Sequence, residues 1–486
     1  MHTAAFALMS TMRTAKSKRP MMFKRLCLPA ALSLVLWPLW AAAQQCDDRS
    51  DASKGVQLEP PPSSSPEALE PATLVAGKQQ LAAMSRIAVL ESPEVKAAEL
   101  GRTAAQFDIE QVRAGKKPRL EASATAGIGR YASNVSPSYG SRGVGSAGLS
   151  LSAPLFDGGR IDALTRQREE LFGASAATLE SVRERVTLDT LLTVFERNRY
   201  RTQLGVLEQH VNKLACLSSL IDRIVDADKG RASEQVQARN SLRQAELVRD
   251  QVASASRYAE VRLQSMLGGQ VLPWTTAGAP LMEVPVLEAM VQLIAENPDV
   301  RQLQRQAEAQ RFAALAAAAD RAPQVRLEMG ANSKSQADRV TSSSWNTGLT
   351  VNYAFADGGA REAGISAAEA RAQAARRNLE QAVVERNKQA GVLHDTALSA
   401  YKRAVQYSEL LRDSDGLRRA TYLQWAQLGR RSLFDLMSAE NGHNSLHLDY
   451  VNSMFDGFSA TAQLRHVGGG LLPWLAPELL PLPTRP

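Results

Sequence analysis

Apolar and polar residues alternate in four short stretches. In the first, Leu120, Ala122, Ala124, Ala126 and Ile128 stand between Glu121, Ser123, Thr125, Gly127 and Gly129. In the second, Ala147, Leu149, Leu151, Ala153 and Leu155 alternate with Ser146, Gly148, Ser150 and Ser152. The third sets Val325, Leu327, Met329 and Ala331 against Arg326, Glu328, Gly330 and Asn332. The fourth sets Trp345, Leu349, Val351, Tyr353 and Phe355 against Asn346, Gly348, Thr350 and Asn352. A period of two predicts strands with one apolar face.

After each strand pair the pattern breaks at a related motif, Leu155-Phe156-Asp157-Gly158-Gly159-Arg160 and then Phe355-Ala356-Asp357-Gly358-Gly359-Ala360-Arg361. No proline follows either copy for more than 100 residues. The two glycines allow a sharp turn, and Asp157 or Asp357 is placed to cap the N–H groups of a helix starting there. From Gly159 to Gly230 is 71 positions and from Gly359 to Gly429 is 70. An unbroken helix of that length spans on the order of 100 Å. Beyond the turn glycines Gly230 and Gly429, shorter helices are predicted over about 233–268 and 432–466. Upper helices are predicted over about 93–117 and 298–322. Leu204, Leu207, Val211, Leu214, Leu217, Ile221 and Ile224 recur at three- and four-residue spacing, as in a coiled-coil seam. The stretch from Ala360 to Ala400 is alanine-rich and suits close helix–helix walls.

These landmarks recur at an offset near 200 residues. Ser92-Pro93-Glu94-Val95 answers Asn297-Pro298-Asp299-Val300, and Leu272-Pro273-Trp274 answers Leu472-Pro473-Trp474. The period is far longer than a solenoid repeat, so one large unit is duplicated in tandem. The first repeat is placed at 80–275, the second at 276–472, and a C-terminal tail at 473–486.

Each strand is about as long as the 9–11 residues that cross a bilayer. The small polar residues on the second face suit a water-filled lumen better than an ordinary half-buried sheet. Four strands cannot close a barrel, for which about eight is the practical minimum, whereas three copies supply about twelve. No run after the N-terminus reaches the roughly 18 apolar residues of a membrane helix.

The net charge of +7 changes this picture little. Six basic residues (Arg13, Lys16, Lys18, Arg19, Lys24 and Arg25) and no acid fall within residues 1–43, so the remainder is nearly neutral. Nucleic acid is therefore not an expected partner. The apolar run from Leu26 to Trp40 and the following Ala41-Ala42-Ala43 read as a secretory signal peptide over 1–43. A membrane anchor fits less well, because the run is short and holds Pro29 and Pro38. Residues 44–79 are rich in Ser, Pro, Asp and Glu and read as a disordered leader. Cys46 follows no lipobox. Cys46 and Cys216 could pair in an oxidising periplasm, but a cysteine in a disordered leader gives no reason to expect a structural disulfide.

Together these features resemble the TolC-like outer-membrane channels of efflux and secretion systems, over roughly residues 80–472. The resemblance rests on the duplicated helix–strand–strand–helix unit, on Pro154-Leu155-Phe156-Asp157-Gly158-Gly159, and on the turn Gly429-Arg430-Arg431-Ser432-Leu433-Phe434-Asp435-Leu436. It implies an α/β membrane protein: a homotrimer with a twelve-stranded outer-membrane β-barrel continued by a long periplasmic α-helical barrel. It also implies a periplasmic membrane-fusion adaptor and an inner-membrane ABC exporter or other energised transporter as partners. The tips Gly-Arg-Ala-Ser (230–233) and Gly-Arg-Arg-Ser (429–432) are similar to the branch serving type I export of adhesins. Matched from Gly429, the entrance aspartate of the family falls on Asp435 and a gate-linking arginine on Arg431. A second aspartate is replaced by Ser438, and a tyrosine by Ala426 beside Trp425.

Other motifs lead away from chemistry. Gly143-Val144-Gly145-Ser146-Ala147-Gly148 matches GxGxxG but leads into a strand, so it lacks the mechanics of dinucleotide binding. His443 and His447 are one turn apart, but Asn444 stands where a metalloprotease has Glu, and a surface pair is the expectation. No nucleophile constellation stands out, so neither enzymatic activity nor a cofactor is expected. A soluble periplasmic coiled-coil scaffold or adaptor is the alternative; it would not need four apolar-faced strands.

Overall fold

The computed structural model describes residues 71–129, 142–270, 279–336 and 341–475. The expected signal peptide, Cys46, the strand-joining loops and Leu272-Pro273-Trp274 lie outside these described residues.

The elements run α1 (Pro71–Glu91), α2 (Pro93–Ala114), β1 (Arg119–Gly129), β2 (Arg142–Phe156), α3 (Arg160–Ala227) and α4 (Ala232–Met266). There follow α5 (Leu287–Leu293), α6 (Pro298–Ala319), β3 (Gln324–Gln336), β4 (Thr341–Asn352), α7 (Ala360–Ala426), α8 (Leu433–Val467) and α9 (Leu472–Leu475). The block α2-β1-β2-α3-α4 recurs as α6-β3-β4-α7-α8. Equivalent residues start the two upper helices. Ser92 caps the Val95 N–H at 3.4 Å and Asn297 caps the Asp299 N–H at 3.1 Å, each followed by a proline at the first helical position.

The four strands form one antiparallel sheet in the order β1-β2-β3-β4, so the duplicated hairpins meet at β2 and β3. The register aligns the apolar positions into rows. Leu120 faces Leu151 and Leu151 faces Met329; Ala122, Leu149, Ala331 and Trp345 form the next row; Leu327 faces both Ala153 and Leu349. A bulge between Pro154 and Phe156 shifts the pairing just above the first hinge. A bulge at that point lets β2 turn toward its helix without disturbing the rows above.

The long helices hold 68 and 67 residues and the return helices 35 each. Gln203 donates to Asn452 at 2.7 Å, and the hydroxyls of Tyr401 and Thr461 lie 3.5 Å apart. These pairs, and Ser414 with His443, run α8 antiparallel to both α3 and α7. One apolar core, at mid-height, gathers Leu81, Leu191, Phe195, Met454 and Phe458. Another, near the tips, gathers Val211, Leu214, Leu217 and Ile221 with Tyr422, Trp425, Leu433 and Leu436. The second core is the expected seam, except that Leu204 and Ile224 are only half-buried.

Buried polar groups fasten the two repeats together. The Asn297 amide donates to the carbonyls of His466, Val467 and Gly468 at 2.9, 3.3 and 2.9 Å, closing the C-terminus of α8. Glu184 on α3 accepts the N–H groups of Leu471 and Leu472 at 2.6 and 2.9 Å. Asp299 on α6 joins Ser181 on α3 to Arg386 on α7.

Five expectations need correction. Residues 71–79, assigned to the disordered leader, are the first turns of α1. The helix forms because Leu81, Met84 and Ala88, at three- and four-residue spacing, bury themselves against α3. The fourth strand stops at Asn352. Tyr353 and Phe355 lie beyond it as an edge-to-face pair with centroids 4.9 Å apart. Cys216 is disulfide-bonded, its partner lying outside the described residues. His443 and His447 are half-buried rather than on the surface. Residues 473–475, at the start of the tail, belong to α9, and Leu475 is buried in the mid-height core.

Candidate functional site

The sheet presents two chemically distinct faces. On the apolar face Leu120, Leu149, Trp345, Leu349 and Val351 are all more than half exposed, Trp345 at 78%. A monomer in water would not leave so continuous an apolar surface bare. On the other face Glu121, Ser150, Gly330 and Asn346 form one row, and Ser152, Glu328 and Gly348 another. Thr350 donates to Glu328 at 2.9 Å and Arg119 pairs with Glu121 at 2.6 Å on this face. One face suits hydrocarbon and the other water. Among the described residues no helix is long and apolar enough to cross a membrane.

Below the sheet, the two hinges share one geometry. Gly158 and Gly159 have φ of 66° and 84°, and Gly358 and Gly359 have 66° and 87°. Asp157 accepts the N–H groups of Gly159 and Ile161 at 3.0 and 2.7 Å. Asp357 accepts those of Gly359 and Arg361 at 3.0 and 3.1 Å. The Arg361 and Gly359 N–H groups hold the Asp357 carboxyl below the usual carboxylate range. The hinges differ in surroundings. A Cβ on Gly158 would overlap Ala322, whereas one on Gly358 would meet nothing within 4 Å. The turn after α6 lies between them, its Asp320 paired with Arg160 at 3.0 Å and its Arg321 with Glu362 at 2.7 Å.

At the far end, the two helical hairpins turn differently. Asp228 caps the Gly230 N–H at 3.0 Å, and Arg231 pairs through two nitrogens with Glu234 at 3.0 and 2.7 Å. In the second tip Gly429 has φ 59°. There Ser432 and Asp435 form a capping box. The Asp435 carboxylate accepts from the Ser432 N–H at 3.1 Å and its hydroxyl at 3.0 Å. Hydrogen bonds from the Ser432 backbone and side chain, helped by the nearby Arg431 charge, hold the Asp435 carboxyl below its usual range. Arg431 instead donates to Gln424 at 3.1 Å. Arg431 and Ser438 are exposed and Asp435 is half-exposed. Within the chain Arg431 and Asp435 thus make two separate contacts rather than a bond to each other. The spacing Ser432-Leu433-Phe434-Asp435 carried the signal for the box. Among the described residues no cluster of three or more His, Cys, Asp or Glu is placed to hold a metal.

A sheet with one lipid-facing side, joined by capped glycine hinges to rods about three times longer than a bilayer core is thick, defines the protomer of an outer-membrane channel. The family model for outer membrane efflux proteins matches residues 85–269 and 289–409, more than half of the chain. The chain belongs to the outer membrane efflux protein family, whose members are channels of the TolC type, and its place is the outer membrane with a periplasmic extension. The fold is similar to that of CusC, at 17% identity and a TM-score of 0.72 over 80% of this chain and 92% of that one. It is also similar to VceC of Vibrio cholerae, at 16% identity and 0.68 over 80% and 96%. A third likeness is to the open state of MtrE of Neisseria gonorrhoeae, at 17% identity and 0.63 over 80% and 89%. No curated protein sequence matches the chain at a significant level.

Proposed function

We propose that three copies of this chain assemble into a passive exit duct serving a tripartite export system. The observation that carries this reading is the four-stranded sheet, which has an exposed apolar face and two edge strands, β1 and β4, not paired to each other. Such a sheet is incomplete in lipid until its edges are satisfied, and three copies supply the roughly twelve strands of a closed barrel. The upper half of α7 supports the same assembly: between Ala360 and Lys388 its one buried residue is Ile365. On this reading the units at 80–275 and 276–472 each contribute two strands and one helical hairpin to the trimer. The duct has no energy source of its own, so a periplasmic adaptor and an energised inner-membrane transporter must couple to it.

The second tip is the entrance in this proposal. Three copies of Asp435 around one axis form an acidic ring, and each close pair of like charges repels by about 4 kcal/mol at an effective dielectric of 20. Arg431, which donates to Gln424 rather than to Asp435 in its own chain, would be the neutralising partner from a neighbouring copy. Ser438, one turn on, leaves this ring single rather than double. The tips Gly230–Ser233 and Gly429–Ser432 favour type I export of large proteins over efflux of small molecules.

The test begins with detergent extraction of outer membranes and light scattering, followed by planar-bilayer recording. A mass about three times that of the chain, with discrete conductance blocked by multivalent cations, is the expected result. A soluble periplasmic monomer would overturn the reading in favour of a scaffold protein.

A further inference from the structure

Three of the six histidines in the chain meet in one layer of the helical rod, between the mid-height core and the tips. His443 and His447 on α8 stand one turn apart with ring centroids separated by 6.1 Å. Nδ1 of His443 lies 2.6 Å from the Ser414 hydroxyl of α7. His210 on α3 bonds through its side chain to Asn441 of α8. The layer therefore joins three helices. It holds fixed charges as well: Arg418 of α7 pairs with Asp415 at 2.8 Å and with Glu440 of α8 at 3.4 Å. Glu440 is 2% exposed. Arg419 adds a second cation to Asp415.

These groups make the layer sensitive to added positive charge. Burial holds His210 below its ordinary value, against the Asn441 bond, and Arg418 pushes the same way. His447 is lowered by burial and then by Arg418. Burial alone would raise the Asp415 carboxyl, but Arg418, Arg419 and His443 hold it down, so it remains charged. Lys213 of α3 lies over the Tyr422 ring at 5.1 Å and is itself positive. On α4, Arg249 and Asp250 pair with each other at 2.8 Å, and the further acids acting on Arg249 are Glu246 of α4 and Glu208 of α3. Both imidazoles are held below 6.5 in the folded protein, whereas in the unfolded chain they take up a proton near that pH. Stability contributed by their packing is therefore intact above pH 6.5 and falls as the pH drops below it.

We propose that this histidine layer is an acid-sensitive joint. Protonation of His210 and His447 beside Arg418 loosens the α7–α8 hairpin from α3 and frees the entrance end of the rod. The inference uses the duct reading to place the helices in the periplasm, a compartment that follows external pH.

The test is hydrogen exchange with mass spectrometry on the full-length protein in detergent, at pH 7.5 and 5.5, corrected for intrinsic rates. Peptides covering 205–215, 411–419 and 438–449 should exchange about three- to tenfold faster at pH 5.5. Peptides over 81–89 in the mid-height core should not. His210→Gln and His447→Gln, singly and together, should remove the acceleration, and His394→Gln, outside the layer, should keep it. If the double variant is poorly folded at pH 7.5 by thermal melt, the single variants decide. Absence of acceleration in the wild type, or its persistence in the variants, overturns the joint. Bilayer conductance recorded separately tests the duct, so either reading can fail without the other.

Discussion

The ring of Tyr401 fills the space that a Cβ on Gly457 would occupy. The contact locks α7 to α8 at mid-height, where Tyr401 also donates to the Leu281 carbonyl at 2.7 Å. Gly457→Val therefore overpacks the core and should cost about 1–3 kcal/mol. Tyr401→Phe leaves the ring in place and should cost about 1 kcal/mol through the lost hydrogen bond. Thermal melts of the detergent-solubilised protein will rank the two, and an unshifted Gly457→Val would show that the helices are free to separate.

The hinges should respond unequally to substitution. Left-handed backbone costs a non-glycine residue about 1–2 kcal/mol at either site, but only Gly158→Ala also collides with Ala322. We expect Gly158→Ala to lower the yield of assembled protein well below that of Gly358→Ala, as read on heat-modifiable gels. Equal yields would mean that the turn after α6 yields readily.

Neighbouring positions on β2 should behave oppositely. Leu151→Arg places charge on the apolar face and should cost about 2–4 kcal/mol if the site lies near the bilayer midplane. Ser150→Arg points to the other face and should leave membrane insertion unchanged. Urea extraction of membranes carrying each variant separates the two outcomes.

The tail-end contact offers a further test. Glu184 is 3% exposed and serves the N–H groups of both Leu471 and Leu472. Glu184→Ala leaves both N–H groups without that acceptor and should cost about 3 kcal/mol. Gly470→Ala should mimic it, because its Cβ would come within 2.6 Å of the Glu184 carboxylate and its φ is 97°. Proteolysis near residue 471 should accelerate in both variants.

At the second tip, the capping box makes a pH prediction. The Asp435 carboxyl is lowered by its bonds to Ser432, so its contribution is present above the ordinary value of 3.8 and lost as pH falls through the lower folded value. Amides of Asp435 to Met437 should stay protected at pH 4.5 in the wild type and exchange faster in Ser432→Ala at the same pH.

Periodicity made most of this architecture legible. Leu120 to Ile128 revealed a strand because its side chains answer to one environment on each face, and Gly158-Gly159 revealed a hinge because few other residues tolerate that backbone. What escaped depended on partners distant in sequence. The helix at 71–91 was hidden behind a proline-rich stretch, since its stability comes from Leu191 and Phe195, more than 100 residues away. Glu440, His443 and His447 do form a three-, four- and seven-residue stripe, but nothing in α8 itself reveals that His210 and Arg418 close over it. The i,i+4 spacing of Arg431 and Asp435 suits a pair, but Gln424 and the Ser432 N–H are the better-placed partners.

The two long helices differ by a single residue, 68 against 67. Rods so nearly equal bring both tips close to one level, and that match restricts how such a chain can change. One residue inserted into either rod would rotate everything beyond it by about 100° and lower its tip by about 1.5 Å. The seam from Leu207 to Ile221 would then turn away from Trp425 and Leu436. Length can vary here only in steps that preserve the facing surfaces, close to whole heptads, and each step must be copied in the other repeat. The reach of the duct is thus a quantised property, inherited in matched increments.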